Sequence, residues 1–371
     1  MKIGYEAKRV FHNKTGLGNY SRDSIRILAS FFSENEYYLY NPKKANTNLF
    51  FFKRDNIKER LPSSNFYRKF YNLWRQFGIL SDLKRDQIDL FHGLSGELPR
   101  GLKKKGIKSI VTIHDLIFVR YPELYSFFDR KIHFYKFKKA AQQADIIIAI
   151  SEQTKQDIIN FLNIPASKIK VIYQGCQNVF KKNYTDEVQD KVIKKFNLPK
   201  QFVLNVGTLE TRKNALNIVK AIKDINTHLV LVGRETPYTQ QIHEYIKNHQ
   251  IQNKVSFLKN VSNEELAILY QKASVFVYPS IFEGFGIPII EALFSKTPVI
   301  TTNSGVFPEA GGPDSLYINP NSVQEIKEKI EWILNNPNEA EVISKKGFEY
   351  AQQFTDEVIA KNLMNCYRSL F

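Results

Sequence analysis

Cysteine is nearly absent from these 371 residues, and the two that occur exclude whole classes of protein. Cys176 and Cys366 stand at unrelated positions, so neither a disulfide framework nor a cysteine metal site is expected. Two isolated thiols suit a reducing cytoplasm. Long apolar runs are missing too: residues 146–150, all Ile or Ala, form a strand-sized stretch far short of a membrane span. The start, Met1-Lys2-Ile3-Gly4-Tyr5-Glu6, reads directly as a strand, so no signal peptide is expected. No Asp-x-Asp element occurs, which removes the usual seat of a divalent cation beside phosphate. Repeats and low-complexity segments are absent as well.

What is present is an ordinary globular composition, 43% hydrophobic and 24% charged, on a chain long enough for two domains with separate cores. The formal net charge of +16 is unevenly placed. Residues 1–180 hold 31 Lys and Arg against 16 Asp and Glu, a surplus of 15; the remainder hold 22 against 21. The first half therefore suits an anionic partner, and the second needs none.

Strand-like apolar runs alternate with helical periodicity over almost the whole chain, which predicts parallel sheets covered by helices on both faces. The first series of strands is expected near 2–6, 37–40, 88–92, 109–114, 145–150 and 170–173. The second falls near 202–206, 228–232, 255–258, 274–278 and 298–301. The polar segment 177–200 separates them and sets domains of 1–176 and 177–356, with a terminal helical stretch at 357–371. Two doubly wound, Rossmann-like domains would face a central cleft lined by strand C-termini, where such sheets bind ligands.

Between the strand at 274–278 and a helical run lies Glu283-Gly284-Phe285-Gly286-Ile287-Pro288-Ile289-Ile290-Glu291. Pro288 fits the first helical turn, and Gly284 and Gly286 let backbone approach a ligand. The helix start beyond Phe285 offers unpaired N–H groups, a seat for phosphate. Glu283 stands at the loop mouth and Glu291 one turn inside. Phosphate flanked by two carboxylates suits a nucleotide sugar. After the strand at 202–206, Gly207-Thr208-Leu209-Glu210-Thr211-Arg212-Lys213 places two cations at the sheet edge, able to neutralise a diphosphate leaving group. His114, in Ile113-His114-Asp115-Leu116, ends an apolar strand and is expected at a ligand, with His92 a weaker candidate. The other histidines, His12, His133, His228, His243 and His249, read as structural. Gly16 and Gly18, in Lys14-Thr15-Gly16-Leu17-Gly18-Asn19-Tyr20, form a glycine loop; Ser21 at the third glycine position rules out the dinucleotide fingerprint. Residues 66–77 interleave aromatics with cations and suit an interfacial helix on an anionic membrane, or a core helix with a basic face.

Taken together these motifs resemble the retaining glycosyltransferases of family 4, which have the GT-B fold, over essentially the full length. Glu283 and Glu291 match the E-x7-E element. Gly207, Arg212 and Lys213 match the glycine–cation signature, although Thr208 stands where many members carry a first arginine. His92-Gly93-Leu94-Ser95 and Thr112-Ile113-His114-Asp115 resemble a bacterial mannosyltransferase-like branch. The resemblance implies transfer of a hexose, foremost mannose from GDP-mannose, to a cell-surface polysaccharide or lipid-linked precursor, without metal or other cofactor. It gives Glu283, His114, Arg212 and Lys213 to catalysis and Gly16, Gly18, Gly207, Gly284, Phe285, Gly286 and Glu291 to the donor, with Glu291 on the ribose. A terminal helix packing back on the first domain is implied as well, as is Ser304-Gly305-Val306-Phe307-Pro308-Glu309 as a shaping loop. A UDP-sugar donor, a GT-B-like epimerase and a nucleic-acid-binding protein are the other readings. The last lacks any nucleic-acid-binding signature.

Overall fold

The structure, a computed structural model, describes residues 1–45, 49, 50, 52 and 54–371. Two compact units form: Met1–Gln174 together with Asp356–Phe371, and Gly175–Thr355.

In the first unit seven strands make one parallel sheet. They are β1 (Lys2–Glu6), β2 (Glu36–Tyr40), β3 (Ile57–Arg60), β4 (Leu90–Gly93), β5 (Lys108–Ile113), β6 (Ile146–Ala149) and β7 (Ile169–Val171). The spatial order is β3-β2-β1-β4-β5-β6-β7. Alternate side chains face opposite ways. Ile3, Tyr5, Tyr37 and Leu39 enter one core, while Tyr38, Tyr40, Phe91 and Val111 enter the other. Both faces are covered, so the central strands read as near-continuous apolar runs. The winding direction reverses between β1 and β4, the switch point at which such sheets bind ligands.

The helix Asp356–Arg368 completes this unit by packing on the helix Gly16–Phe31. Its Ile359, Leu363, Met364 and Tyr367 are buried in the first core, and burying each apolar side chain is worth roughly 1.5–3 kcal/mol. Tyr367 also anchors a buried polar chain. Its hydroxyl meets His92 Nδ1 at 2.7 Å and the Tyr5 hydroxyl at 3.3 Å, and His92 Nε2 meets Thr112 Oγ1 at 2.8 Å.

The second unit holds β8 (Phe202–Val206), β9 (His228–Val232), β10 (Val255–Leu258), β11 (Val275–Tyr278), β12 (Val299–Thr302) and β13 (Leu316–Ile318). All are parallel, in the order β10-β9-β8-β11-β12-β13, so the switch point lies between β8 and β11. Its core joins Val203, Leu229, Leu231, Val275, Val277 and Ile300 to helical residues such as Ile218, Ile222, Ile326 and Ile330.

Two strands are additional to those expected. β3 is Ile-Lys-Glu-Arg at a sheet edge, where one polar flank is tolerated, and β13 is only three residues long. Residues 66–77 do not form the single expected helix. The chain turns at Phe70 (φ −106°, ψ 54°), giving Asn65–Lys69, Tyr71–Leu73 and a wide turn over Trp74–Gly78. Trp74 is buried with its indole N–H on Asp82 at 2.8 Å, while Phe66, Phe70 and Phe77 remain exposed.

Candidate active site

The loops leaving β8 and β11 meet at the switch point of the second sheet. Gly207 follows β8 with φ +143°, which requires glycine, and the stem of Lys213 lies over it. After β9, Gly233 has no room for a side chain: a Cβ would stand 1.8 Å from the Gly207 carbonyl oxygen. The loop after β11 is stitched to the first by Ile281 N–H donating to the Arg212 carbonyl at 2.9 Å. Gly286 (φ +113°) then turns the chain into the helix Ile287–Phe294, with Pro288 in its first turn.

This stitching brings Glu283, Arg212 and Lys213 together. Glu283 Oε1 accepts from Tyr278 at 2.8 Å and Ser280 at 2.9 Å. Arg212 approaches the same oxygen at 2.8 Å, and Lys213 also pairs with it. Arg212 reaches Glu210 at 2.6 Å with its other nitrogen and donates to the Phe282 carbonyl. The Lys213 ammonium donates to the Tyr278 hydroxyl and sits 4.9 Å from its ring centroid. Burial alone would push Glu283 up, but the Lys213 and Arg212 charges outweigh it and hold the carboxyl at about 2. The cluster is thus an ionised carboxylate gripping two cations.

Glu291 sits apart from that cluster. Its Oε2 accepts from the Tyr270 hydroxyl at 3.0 Å. Burial pushes it from the ordinary 4.5 up to about 8, the tyrosine bond offsetting only part of this. Phe285 is buried edge-on against Phe354, so its ring offers nothing to a ligand, and only its backbone can. Gly284 separates it from Glu283 in the loop. Beside Gly233 a pocket of about 530 Å³, lined by Arg234, Glu235, Lys259 and Asn260 among others, opens at the ends of β9 and β10. Sequence reasoning passed over it; the Gly-Arg-Glu that directly follows the β9 strand was the available signal.

The remaining expected residues belong to the first unit. His114 follows β5, nearly buried, with Nε2 at 2.9 Å from the Leu94 carbonyl and its ring edge-on to Tyr20 at 4.6 Å. Burial holds its pKa down at about 4, so the imidazole is neutral and Nε2–H donates to Leu94. His92 is corrected to a structural bridge: it is fully buried, both ring nitrogens are engaged, and burial keeps its pKa at about 3. Gly16 opens the helix Gly16–Phe31 with nothing near its Cβ position. Gly18 is glycine for packing, since a Cβ there would meet the Asn13 carbonyl oxygen at 2.0 Å. The Ser304–Glu309 segment follows β12 and enters the short helix Phe307–Gly311. Among the described residues no group of three or more His, Cys, Asp or Glu side chains is arranged to hold a metal ion.

Comparison with known proteins matches residues 38–177 to the model of glycosyltransferase family 4 and residues 186–350 to that of glycosyl transferases group 1. The chain is 26% identical to the O-antigen chain mannosyltransferase B of Escherichia coli over the full length of both. It is 33% identical to the O-antigen chain mannosyltransferase RfbU of Salmonella typhimurium, over 62% of this chain and 61% of that one. Among solved structures it superposes on a sucrose-phosphate synthase from Thermosynechococcus elongatus with a TM-score of 0.81, covering 100% and 99% of the two chains at 22% identity.

Proposed function

The chain belongs to the family 4, group 1 glycosyltransferases, hexosyltransferases of GT-B fold, and on that premise we propose that it transfers mannose from GDP-mannose, with retention. The acceptor in this reading is a growing cell-surface polysaccharide or its lipid-linked precursor. One observation carries it: Glu283, Arg212 and Lys213 converge at the β8–β11 switch point, ahead of a glycine-led helix start. The two cations receive the diphosphate, without a metal ion, and Glu283 then turns to the sugar hydroxyls. The acceptor oxygen bonds to the anomeric carbon as the bond to the β-phosphate breaks. The departing phosphate oxygen keeps the electron pair and takes the acceptor's proton on the same face. The pocket beside Gly233 holds the base and Glu291 the ribose diol.

Thermal unfolding with a panel of nucleotide sugars tests the donor. GDP-mannose at about 100 times its Kd stabilises by about 2.7 kcal/mol, which raises the midpoint of a unit this size by roughly 5–10 °C. That shift should grow as pH rises towards about 8 and level off above it, because the diol donates to an ionised Glu291 and the empty protein keeps Glu291 protonated below about 8. Glu291→Gln should remove the pH dependence. The empty protein itself should lose stability between 4.5 and about 8, since only the folded state retains the proton there. A shift with a UDP-sugar and none with GDP-mannose would reassign the donor.

We also propose peripheral contact with anionic membrane through the first unit, supported by exposed Phe66, Phe70 and Phe77 beside Arg68 and Lys69. Among the described residues no helix is long and apolar enough to cross a membrane. Each cation near such a surface contributes about 1 kcal/mol and is screened by salt. The protein should co-sediment with acidic and not neutral vesicles, less so at high salt, and Arg68→Gln with Lys69→Gln should weaken it. Sedimentation indifferent to lipid charge would end this idea. Arg75 is unsuited to the test, because it is held by Glu6 at 2.8 Å and Glu97 at 2.7 Å.

A further inference from the structure

The two cations of the β8 loop share one oxygen of Glu283, and that sharing cannot outlast the reaction. When the carboxylate turns to the sugar, Arg212 and Lys213 lose their common partner and are left as two like charges side by side. Each has a second hold that does not depend on Glu283. The Arg212 guanidinium is gripped at both prongs: Nη1 approaches Glu283 at 2.8 Å and donates to the Phe282 carbonyl, while Nη2 donates to Glu210 Oε1 at 2.6 Å. Glu210 directly precedes the short turn Thr211–Lys213, and its carbonyl accepts from the Lys213 N–H at 2.9 Å, so carboxylate and guanidinium project from one tight turn. A guanidinium is a rigid planar fork, and a fork held at one prong pivots about it. Glu210 holds the prong that Glu283 does not touch.

Lys213 needs a different kind of hold, because an ammonium on a flexible four-carbon stem has no plane to grip. The Tyr278 hydroxyl supplies a fixed point. Its ring is fully buried at the end of β11, stacked on Phe276 at 5.6 Å and edge-on to Phe307 at 6.3 Å. The Tyr278 carbonyl accepts from the Thr301 hydroxyl at 2.9 Å. A phenol oxygen lies on the axis of its ring, so packing that locks the ring also locks the oxygen. Lys213 donates to this oxygen and lies over the ring besides. Glu283 accepts from the same hydroxyl at 2.8 Å, but it accepts from Ser280 at 2.9 Å as well. Loss of the hydroxyl therefore falls on Lys213 more than on the carboxylate.

We propose that Glu210 and Tyr278 are positioning residues, which keep Arg212 and Lys213 aimed at the diphosphate after Glu283 has turned to the sugar. This rests on the donor reading given above, and its test requires neither acceptor nor turnover. The free β-phosphate of GDP carries the charge that the diphosphate gains as it departs, so aimed cations bind GDP more tightly than GDP-mannose. The readout is the ratio of the two dissociation constants, measured by calorimetry on the full chain. Arg212→Ala and Lys213→Ala should each cut the preference for GDP by about tenfold. Glu210→Ala and Tyr278→Phe remove no cation, yet each should cut it by about fivefold. Glu210→Gln keeps an acceptor for Nη2 and should stay within about twofold of the wild type, as a charge acting at a distance would not. Added to Arg212→Ala, Glu210→Ala should cost less than about twofold more, and so should Tyr278→Phe added to Lys213→Ala. If Tyr278→Phe unfolds, the Glu210 variants carry the test. A wild type with no preference for GDP, a Glu210→Gln loss as large as that of Glu210→Ala, or losses that multiply in the double variants would overturn the proposal. Failure of the wild type to bind either guanosine compound would instead overturn the donor reading, and the same ratio would then be read on UDP and UDP-glucose.

Discussion

Glu283→Ala should lose transfer by 10²-fold or more in kcat, as when a preorganised transition-state contact is removed. One oxygen of this carboxylate collects Tyr278, Ser280, Arg212 and Lys213. Removing it takes away the contact proposed for the sugar and also the anchor that aims both cations. Glu283→Gln keeps the shape and can still accept from Tyr278 and Ser280, but it no longer balances two positive charges. It should therefore recover only part of the loss. With a pKa of about 2 the carboxylate is ionised across any practical assay range, so the wild-type rate should show no acid limb from this group above about pH 4. Circular dichroism and steady-state kinetics on the same preparations decide the matter: a folded Glu283→Ala protein with full activity removes the central assignment.

Arg212→Ala and Lys213→Ala should each lower kcat, by about 10²–10³-fold, and leave KM for the donor less affected. Charge on a departing diphosphate grows towards the transition state, so groups that neutralise it act on the chemical step. Arg212→Lys should not rescue, because the two guanidinium nitrogens point to different partners, Glu210 and Glu283, which one ammonium cannot satisfy. The double variant should fall short of the product of the single effects, since both cations share Glu283. Glu291→Ala provides the contrast. The ribose diol does not change during reaction, so its loss belongs in KM. Kinetics in which Arg212 and Lys213 move only KM, and Glu291 only kcat, would reverse the assignments.

The central strands were legible because burial on both faces leaves no polar alternation to blur them, as with Phe202–Val206 and His228–Val232, where expectation and structure coincide. β3 was not legible, since an edge strand of Ile-Lys-Glu-Arg carries no apolar signal. For the candidate site, the motifs marked the loops but not their mutual grip. Lys213 and Glu283 are 70 residues apart, and only the reversal of strand order between β8 and β11 makes them neighbours. The charge of the first half was visible in composition. That Arg75 is spent on Glu6 and Glu97 depends on side chains drawn from separate elements. His92 misled for a related reason: its place at a strand end suggested a ligand, and its partner Tyr367 comes from 275 residues away.

That last contact has a consequence for biosynthesis. Residues 356–368 leave the ribosome only after the entire Gly175–Thr355 unit has been made. Until they do, His92 and Tyr5 lack the hydroxyl that joins them, and the core around Ile3, Leu28 and Leu90 lacks Ile359, Leu363 and Met364. The half of the protein translated first is therefore the half completed last, and its nascent form presents an open apolar seat for as long as the second unit is being synthesised.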